Sequence, residues 1–458
     1  MRAKSRWLAL LLVLGLVLVA CGGDSGTTDT TAATTTTEAP GDTTATTEAP
    51  DDDDEEAPME IATDFGVDLD AGVIRVGMLS DLTGPFGPLV SAIVAGAQAY
   101  WDDVNANGGI EGLQVELVVR DTVYVVDNHI QFYNEIKDDV VALGHSTGSP
   151  HTVALNADLI ADGMLAIPLT WYSGWSDSSM NSNLLSHGTP YCIEAMNTIG
   201  YLTTEHLDGA STIAIASLPG DYGQDSAAGA KLAAEAAGLE IVYDGEGAII
   251  PTDESAITSV ANGIADSGAD IAWVATTPGT FSAIFGQALA AGYQGTWSGP
   301  SPSYSPAYVA PDSPIKDAIA ASFVGGTYTA SWVDSPQWHD LILDAGLPVS
   351  DYYFEGIIEA KILEAALRQA YANGDMTRQG VLDAAKSLES VTFDGLGPDE
   401  SYVGADNDRL QRQGYIYVPD PEGLAAGTSG GRVDVASLYT SDLAANYEFT
   451  GACYTLAG

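Results

Sequence analysis

From Val73 onward the chain alternates β-branched apolar runs with runs of helical periodicity, and it does so twice. Residues 73–79 read as a strand. Val90, Ile93, Val94, Ala97, Trp101 and Val104 then recur at helical spacing until Gly108-Gly109. Strands follow at 113–119, 140–143 and 164–169, with helices around Ile130, Tyr133 and Ile136 and over 151–162. After an irregular stretch rich in Ser and Asn the pattern restarts. Helices fall at 193–206, 226–237, around Ile257, Val260 and Ile264, and at 281–291; strands fall at 212–217, 240–243 and 270–275. A long helix (353–372), a shorter one (378–387) and strand-like pieces such as 415–418 complete the chain. Strand–helix alternation of this kind builds parallel sheets covered by helices. Two such runs, parted near residue 190, predict an α/β fold of two Rossmann-like lobes.

The N-terminus reads differently. Arg2, Lys4 and Arg6 precede an apolar run over 7–19, and Leu18-Val19-Ala20-Cys21 ends in Gly22-Gly23. This is the layout of a secretory signal, and it is shorter than the ~20 residues that span a bilayer. The ending resembles a bacterial lipobox, which implies removal of residues 1–21 up to Cys21 and a lipid on that cysteine. Several acyl chains on one residue anchor stably, where a single chain is marginal. Residues 22–58 hold Thr-Thr-Glu-Ala-Pro twice (36–40, 46–50) and six consecutive acids (51–56), without large apolar residues. Such a composition predicts a disordered linker, spanning about 35 Å on average.

Charge narrows the function classes. The chain carries 15 Lys+Arg against 63 Asp+Glu. The signal takes three basic residues, leaving 12 basic against 63 acidic residues and a net charge of −51. A surface this negative repels nucleic acid and anionic lipid. No P-loop, H-E-x-x-H or C-x-x-C is present, and Asp406-Asn407-Asp408 lacks the rest of a calcium loop. No cofactor or metal is expected. With Cys21 lipidated, Cys192 and Cys453 either pair, stapling the tail to the middle of the fold, or remain buried thiols.

Several segments together resemble the extracellular solute-binding proteins of ABC importers of the branched-chain amino acid type. They are Ile74-Arg75-Val76-Gly77 leading to Asp81-Leu82-Thr83-Gly84-Pro85; Asn105-Ala106-Asn107-Gly108-Gly109-Ile110 with Val115-Glu116-Leu117-Val118; Ile213-Ala214-Ile215-Ala216 before Asp221-Tyr222-Gly223-Gln224; and Thr392-Phe393-Asp394-Gly395 through Asp406-Asn407-Asp408-Arg409. The resemblance covers roughly residues 71–420. It implies the type I periplasmic binding protein fold, with three hinge crossings near 190, 328 and 400. Lobe 1 is then 71–190 plus 329–400, lobe 2 is 191–328 plus 401–440, and 441–458 is a tail. It also implies a monomer that traps a small-molecule ligand between the lobes and delivers it to an ABC permease and its ATPase. Sequence leaves open a sensor of the same fold.

In open α/β sheets ligands bind beyond the carboxyl ends of the strands, where helix N-termini offer free N–H groups. The loop predicted after the third strand, Gly144-His145-Ser146-Thr147-Gly148-Ser149, falls where the resemblance places a ligand carboxylate, giving Ser146, Thr147, Gly148 and Ser149 as candidates. Thr170, Trp171 and Tyr172 follow the fourth strand, with Trp175 nearby, and would supply flat apolar walls. Phe86 and Tyr222 lie in loops that the resemblance also assigns to ligand. On the second lobe, Ala275-Thr276-Thr277-Pro278-Gly279-Thr280 lacks the acid that amino-acid-binding relatives place there, leaving Thr277 and Thr280. An unpartnered buried ammonium is costly, so a carboxylate, amide or urea-like solute, or a cation over the rings, is expected rather than a zwitterionic amino acid.

The same loop matches G-x-S-x-G, the nucleophile elbow of serine hydrolases, with Ser146 as nucleophile. The later histidines, His151, His187, His206 and His339, do not fall in the required order with a loop acid, and no His-Gly-Gly segment lies upstream. The expectation is a binding protein and not an enzyme.

Overall fold

The computed structural model describes residues 60–455; the signal, Cys21, the linker and the last three residues of the predicted tail lie outside them. The first lobe runs β1 (Val73–Ser80), α1 (Gly87–Ala106), β2 (Gln114–Asp121), α2 (Val126–Ile136), β3 (Ala142–Thr147), α3 (Ser149–Ala161), β4 (Ala166–Leu169). These strands pair in parallel in the order β2-β1-β3-β4, and Val67–Asp68 adds an antiparallel edge to β1. The second runs α4 (Tyr191–Tyr201), β5 (Thr212–Ser217), α5 (Asp221–Ala237), β6 (Glu240–Gly245), α6 (Glu254–Ser267), β7 (Ile271–Ala275), α7 (Pro278–Ala290), β8 (Thr296–Ser298). Its strands are also parallel, in the order β6-β5-β7-β8. Both sheets therefore wind the same way. Each reverses direction beside its first strand, and there the strand ends open a crevice.

A third, antiparallel sheet joins β9 (Gly325–Thr327), β10 (Gly414–Pro419) and β11 (Arg432–Tyr439). Between β9 and β10 the chain makes α8 (Tyr353–Ala372) and α9 (Arg378–Lys386). The segments predicted as crossings lie together. Thr189 Oγ1 donates to the Gln413 carbonyl (2.6 Å), the Ala330 N–H to the Leu396 carbonyl (2.8 Å), and the Gly188 N–H to the Glu400 carboxylate.

Every residue of β3 and of β7 is buried, as befits central parallel strands covered on both faces. The first lobe's core gathers Trp101, Phe354, Leu363 and Phe393; the second lobe's gathers Phe281, Phe285 and Trp297. Helices α1 and α8 cross backbone to backbone at two glycines. A Cβ at Gly96 would stand 2.2 Å from the Tyr353 carbonyl oxygen, and one at Gly356 would stand 1.9 Å from that of Ile93. This approach sets Ile93 and Glu355 on one wall.

Among the boundaries that differ from the sequence reading, three lie at the crevice. β3 continues through Thr147, because it pairs with β1 (Met78 with His145, Leu79 with Ser146) and with β4 (Ser146 with Pro168, Thr147 with Leu169). Gly144, read as the start of a turn, is strand; a Cβ there would meet Val76 at 2.8 Å. α5 begins at Asp221, so Tyr222 lies in its first turn, and α7 begins at Pro278, so Thr277 caps it and Thr280 is inside it. Cys192 and Cys453 are joined as a disulfide, with Cα atoms 6.4 Å apart. Next to it, the Cys453 N–H donates to Ser173 Oγ (2.9 Å) and Tyr172 Oη donates to the Tyr454 carbonyl (2.7 Å).

Candidate ligand-binding site

A cavity lies where the two crevices face each other. The first lobe supplies Phe86 after β1, Leu89, Val90 and Ile93 on α1, Tyr124 after β2, Thr147, Gly148 and Ser149 at the end of β3, and Leu169 and Trp171 at the end of β4. Tyr191, Tyr222, Ser301 and Pro302 come from the other side, and Tyr352 and Glu355 from the start of α8.

The aromatic rings form a connected wall. Phe86 meets Tyr124 at 5.0 Å and Tyr222 at 6.4 Å; Tyr191 meets Tyr222 at 4.7 Å and Trp171 at 5.9 Å. The loop carrying Phe86 is held by Asp81, whose carboxylate accepts the N–H groups of Gly84 (2.7 Å) and Phe86 (2.8 Å). Val123 and Tyr124 both have positive φ (53° and 54°). That backbone is costly for side chains of this size and is typically retained at functional sites; here it lays the Tyr124 ring on Phe86.

Polar groups interrupt this wall at few points. Gly148, at φ +97°, turns β3 into α3, and a Cβ there would stand 2.6 Å from His151 Nδ1. The hydroxyls of Ser149 and Thr170 are hydrogen-bonded to each other. Thr147 Oγ1 is bonded to His145 Nε2 (2.7 Å) and accepts the Asp81 N–H at 3.4 Å. Burial pushes the Glu355 carboxyl up to about 8, with Arg432 opposing and Glu359 and Asp351 adding to the rise.

The sequence family described as periplasmic binding protein matches residues 73–424. The chain belongs to that family. Solved structures agree. A fatty acid ABC transporter substrate-binding protein from Thermomonospora curvata is 28% identical with a TM-score of 0.76, covering 85% of this chain and 97% of its own. A branched-chain amino acid ABC transporter protein from Thermus thermophilus with bound valine is 18% identical (TM-score 0.66; 81% and 97% covered). An R. palustris solute-binding protein in complex with 4-hydroxybenzoate is 16% identical (TM-score 0.65; 81% and 97% covered). No curated protein sequence matches significantly. The chain has the type I periplasmic binding protein fold, and its relatives are substrate-binding components of ABC transporters. No helix among the described residues is long and apolar enough to cross a membrane.

In this binding protein the structure brings together six of the candidate residues: Phe86, Thr147, Gly148, Ser149, Trp171 and Tyr222 all line the cavity. It separates the other five. Strand alternation puts His145 and Thr147 on one face of β3 and Ser146 on the other. There Ser146 is fully buried, with Oγ 3.1 Å from His129 Nε2 and 3.3 Å from Thr152 Oγ1. Thr170 stands behind Ser149. Tyr172 turns to the tail and packs edge-on against Trp175. Thr277 and Thr280 bond each other (2.9 Å). Ser303 closes their loop off, accepting the Thr276 N–H (3.1 Å) and meeting Tyr222 Oη (3.0 Å).

The Ser146–His129 contact does not make a hydrolase site. His129 Nδ1 has no hydrogen-bond partner, so no acid orients the ring as a catalytic triad requires. Burial, then His151 and His145, pushes His129 down to about 3. Sequence reasoning missed Tyr124, Tyr191, Tyr352 and Glu355. The Tyr-Tyr-Phe-Glu opening of α8 and the place of Tyr191 beside the predicted first crossing were usable signals; nothing local marks Tyr124.

Proposed function

We propose that this protein captures a small carboxylic acid with an apolar body, of fatty-acid type, and hands it to an ABC permease while tethered by lipid on Cys21. The observation that carries the reading is the cavity wall, apolar and aromatic except at the Thr147–Gly148–Ser149 turn, Ser301 and Glu355. An acyl chain along Leu89, Val90, Ile93 and Leu169 gains about 0.8 kcal/mol per buried CH₂. The carboxylate sits at the Thr147 hydroxyl and the first N–H groups of α3, a 13-residue helix whose N-terminus favours an anion. The Thermomonospora relative named for fatty acid supports the same class.

Lobe closure about the crossings traps the acid, and the closed form docks on the permease. Only a ligand that binds the closed form better than the open one drives that closure. Residues 22–58 act as the leash between lipid and lobes.

Glu355 favours one second reading. A carboxyl among aromatic rings suits an ammonium, so an amino acid with its ammonium at Glu355 is the competitor. A thermal-shift screen of medium-chain fatty acids, aryl carboxylates, leucine and choline separates the two. A fatty acid at 1,000 times its dissociation constant adds about 4 kcal/mol of stability. Stabilisation by leucine or choline alone overturns the fatty-acid reading. Replacing Cys21 by Ala should release the protein from the membrane fraction, and retention of the variant there would overturn the lipid anchor.

A further inference from the structure

Strand β3 and helix α8 meet in rungs beside the cavity. His145 Nδ1 is 2.8 Å from Glu359 Oε2, and at that level the two side chains close the space between strand and helix. A Cβ at Gly144 would meet Leu363 at 3.1 Å, so the strand and the helix run in opposite directions. Thr147 lies two residues past His145 on the same face of β3. Glu355 lies one turn before Glu359 on the same stripe of α8. Each step advances about 6 Å toward the crevice, so Thr147 and Glu355 reach one level. Threonine is shorter than histidine, and here the space stays open: both residues line the cavity. The head of a ligand seated at the Thr147–Gly148–Ser149 turn therefore also faces Glu355.

Glu355 arrives at that level without a partner. It is 5% exposed, and among the described residues its carboxyl accepts no hydrogen bond and forms no ion pair. Arg432, the cation that acts on it, directs its guanidinium to Asp351 (3.5 Å) and to the Thr329 and Ala330 carbonyls. A buried carboxyl left without a donor is costly. Burial pushes it up to about 8, and a neutral carboxyl has one proton to give and acceptor capacity still to fill. A plain carboxylate only accepts; it takes that proton and leaves a Glu355 oxygen without a donor. An ammonium only donates and first has to expel the proton. An alcohol has a proton and two lone pairs, so it answers the carboxyl in either protonation state.

We propose that Glu355 is a specificity-determining residue that selects acids bearing a hydroxyl on the second or third carbon, with the carboxylate at the Thr147–Gly148–Ser149 turn and the hydroxyl paired with Glu355. The inference rests on the carboxylate reading above and narrows its substrate class from fatty acids to hydroxy fatty acids. The hydroxyl has to stand close to the carboxylate, because Thr147 and Glu355 lie at one level. A hydroxyl at the tail of the acyl chain would instead meet Leu89, Val90 and Leu169.

The test measures the dissociation constants of decanoate, 2- and 3-hydroxydecanoate, the two matching fluorodecanoates and 2-aminodecanoate with the full chain at about pH 7, where these carboxyls are ionised. One of the hydroxydecanoates is expected to bind about tenfold to hundredfold tighter than decanoate. The matching fluorodecanoate, similar in size but without a donor, gains less than about threefold. Glu355→Gln, which keeps a donor and an acceptor, retains most of the preference. Glu355→Leu removes it while decanoate still binds. If Glu355→Leu does not fold, judged by decanoate binding, the fluorodecanoate comparison in the wild type decides. Equal affinity for plain and hydroxy acids, a preference shared by the fluorodecanoate or kept by Glu355→Leu, or tighter binding of 2-aminodecanoate overturns this inference, and decanoate binding then leaves the fatty-acid reading standing. Failure of decanoate and both hydroxydecanoates to bind overturns both.

Discussion

The loops after β3 and β7 occupy the same place in two sheets of the same winding, and both are built from hydroxyl residues, a glycine and a proline. One lines the cavity and the other does not. After β3, Thr147, Gly148 and Ser149 line the cavity. After β7, Thr277 bonds Thr280, and the turn at Ser301–Ser303 seals the strand end through Ser303 and Tyr222. Topology nominates a position for ligand binding; whether the position is used depends on what later chain segments lay over it.

The largest difference is expected from removing one hydroxyl on each side. Thr147→Val deletes a hydrogen bond to a charged ligand, about 1.5–3 kcal/mol, so fatty-acid affinity should drop roughly tenfold to hundredfold. Thr277→Val should change it by less than about threefold. Isothermal titration of both variants decides, and equal losses would erase the contrast between the loops.

Next come the glycines. A Cβ at Gly148 would meet His151 and Tyr124 at 2.6 and 2.7 Å on a left-handed backbone, whereas Gly279 has nothing within 4 Å. Gly148→Ala should cost about 1–3 kcal/mol in denaturant melts and weaken binding. Gly279→Ala, in the first turn of α7, should stabilise by about 0.4–1 kcal/mol. Destabilisation by Gly279→Ala would mean that the second loop is as constrained as the first.

A smaller effect tests the packing that holds the lobes in register. Asp225 on α5 accepts the N–H groups of Ser173, Cys192 and Tyr454 as well as the Ser173 hydroxyl. Burial pushes its carboxyl up to about 7, against these hydrogen bonds. The folded state therefore holds a proton that the unfolded state has released above about pH 4. This contribution to stability is full below that value and is lost as pH rises through about 7. Asp225→Asn should flatten that part of the stability profile while the fatty-acid dissociation constant changes little.

Much of this fold was legible because parallel strands and amphipathic helices have distinct periods. α8 was placed residue for residue, and β1–β7 were found to within a few positions, whereas β8 (Thr296–Ser298) and the Val67–Asp68 edge were not. The errors at the crevice share one reason. Gly, Ser and Thr carry the sequence mark of a turn, yet at the end of β3 they are strand residues held by neighbours on both sides. Once β3 is extended, alternation alone turns Ser146 away and points Thr147 inward. The remaining wall comes from α8, about two hundred residues downstream of β3, and from Tyr124 on a backbone that no local pattern announces. Long-range contacts of that kind leave no periodic signature.

The account centres on one loop receiving the head of an acid, and a crystal structure with decanoate tests that most directly. It predicts a carboxylate within hydrogen-bond reach of Thr147 Oγ1 and the first N–H groups of α3, with the acyl chain along Leu89, Val90 and Ile93. A carboxylate seated instead at the Thr277–Thr280 loop, or at Ser301 with the chain directed toward Thr147, would contradict it.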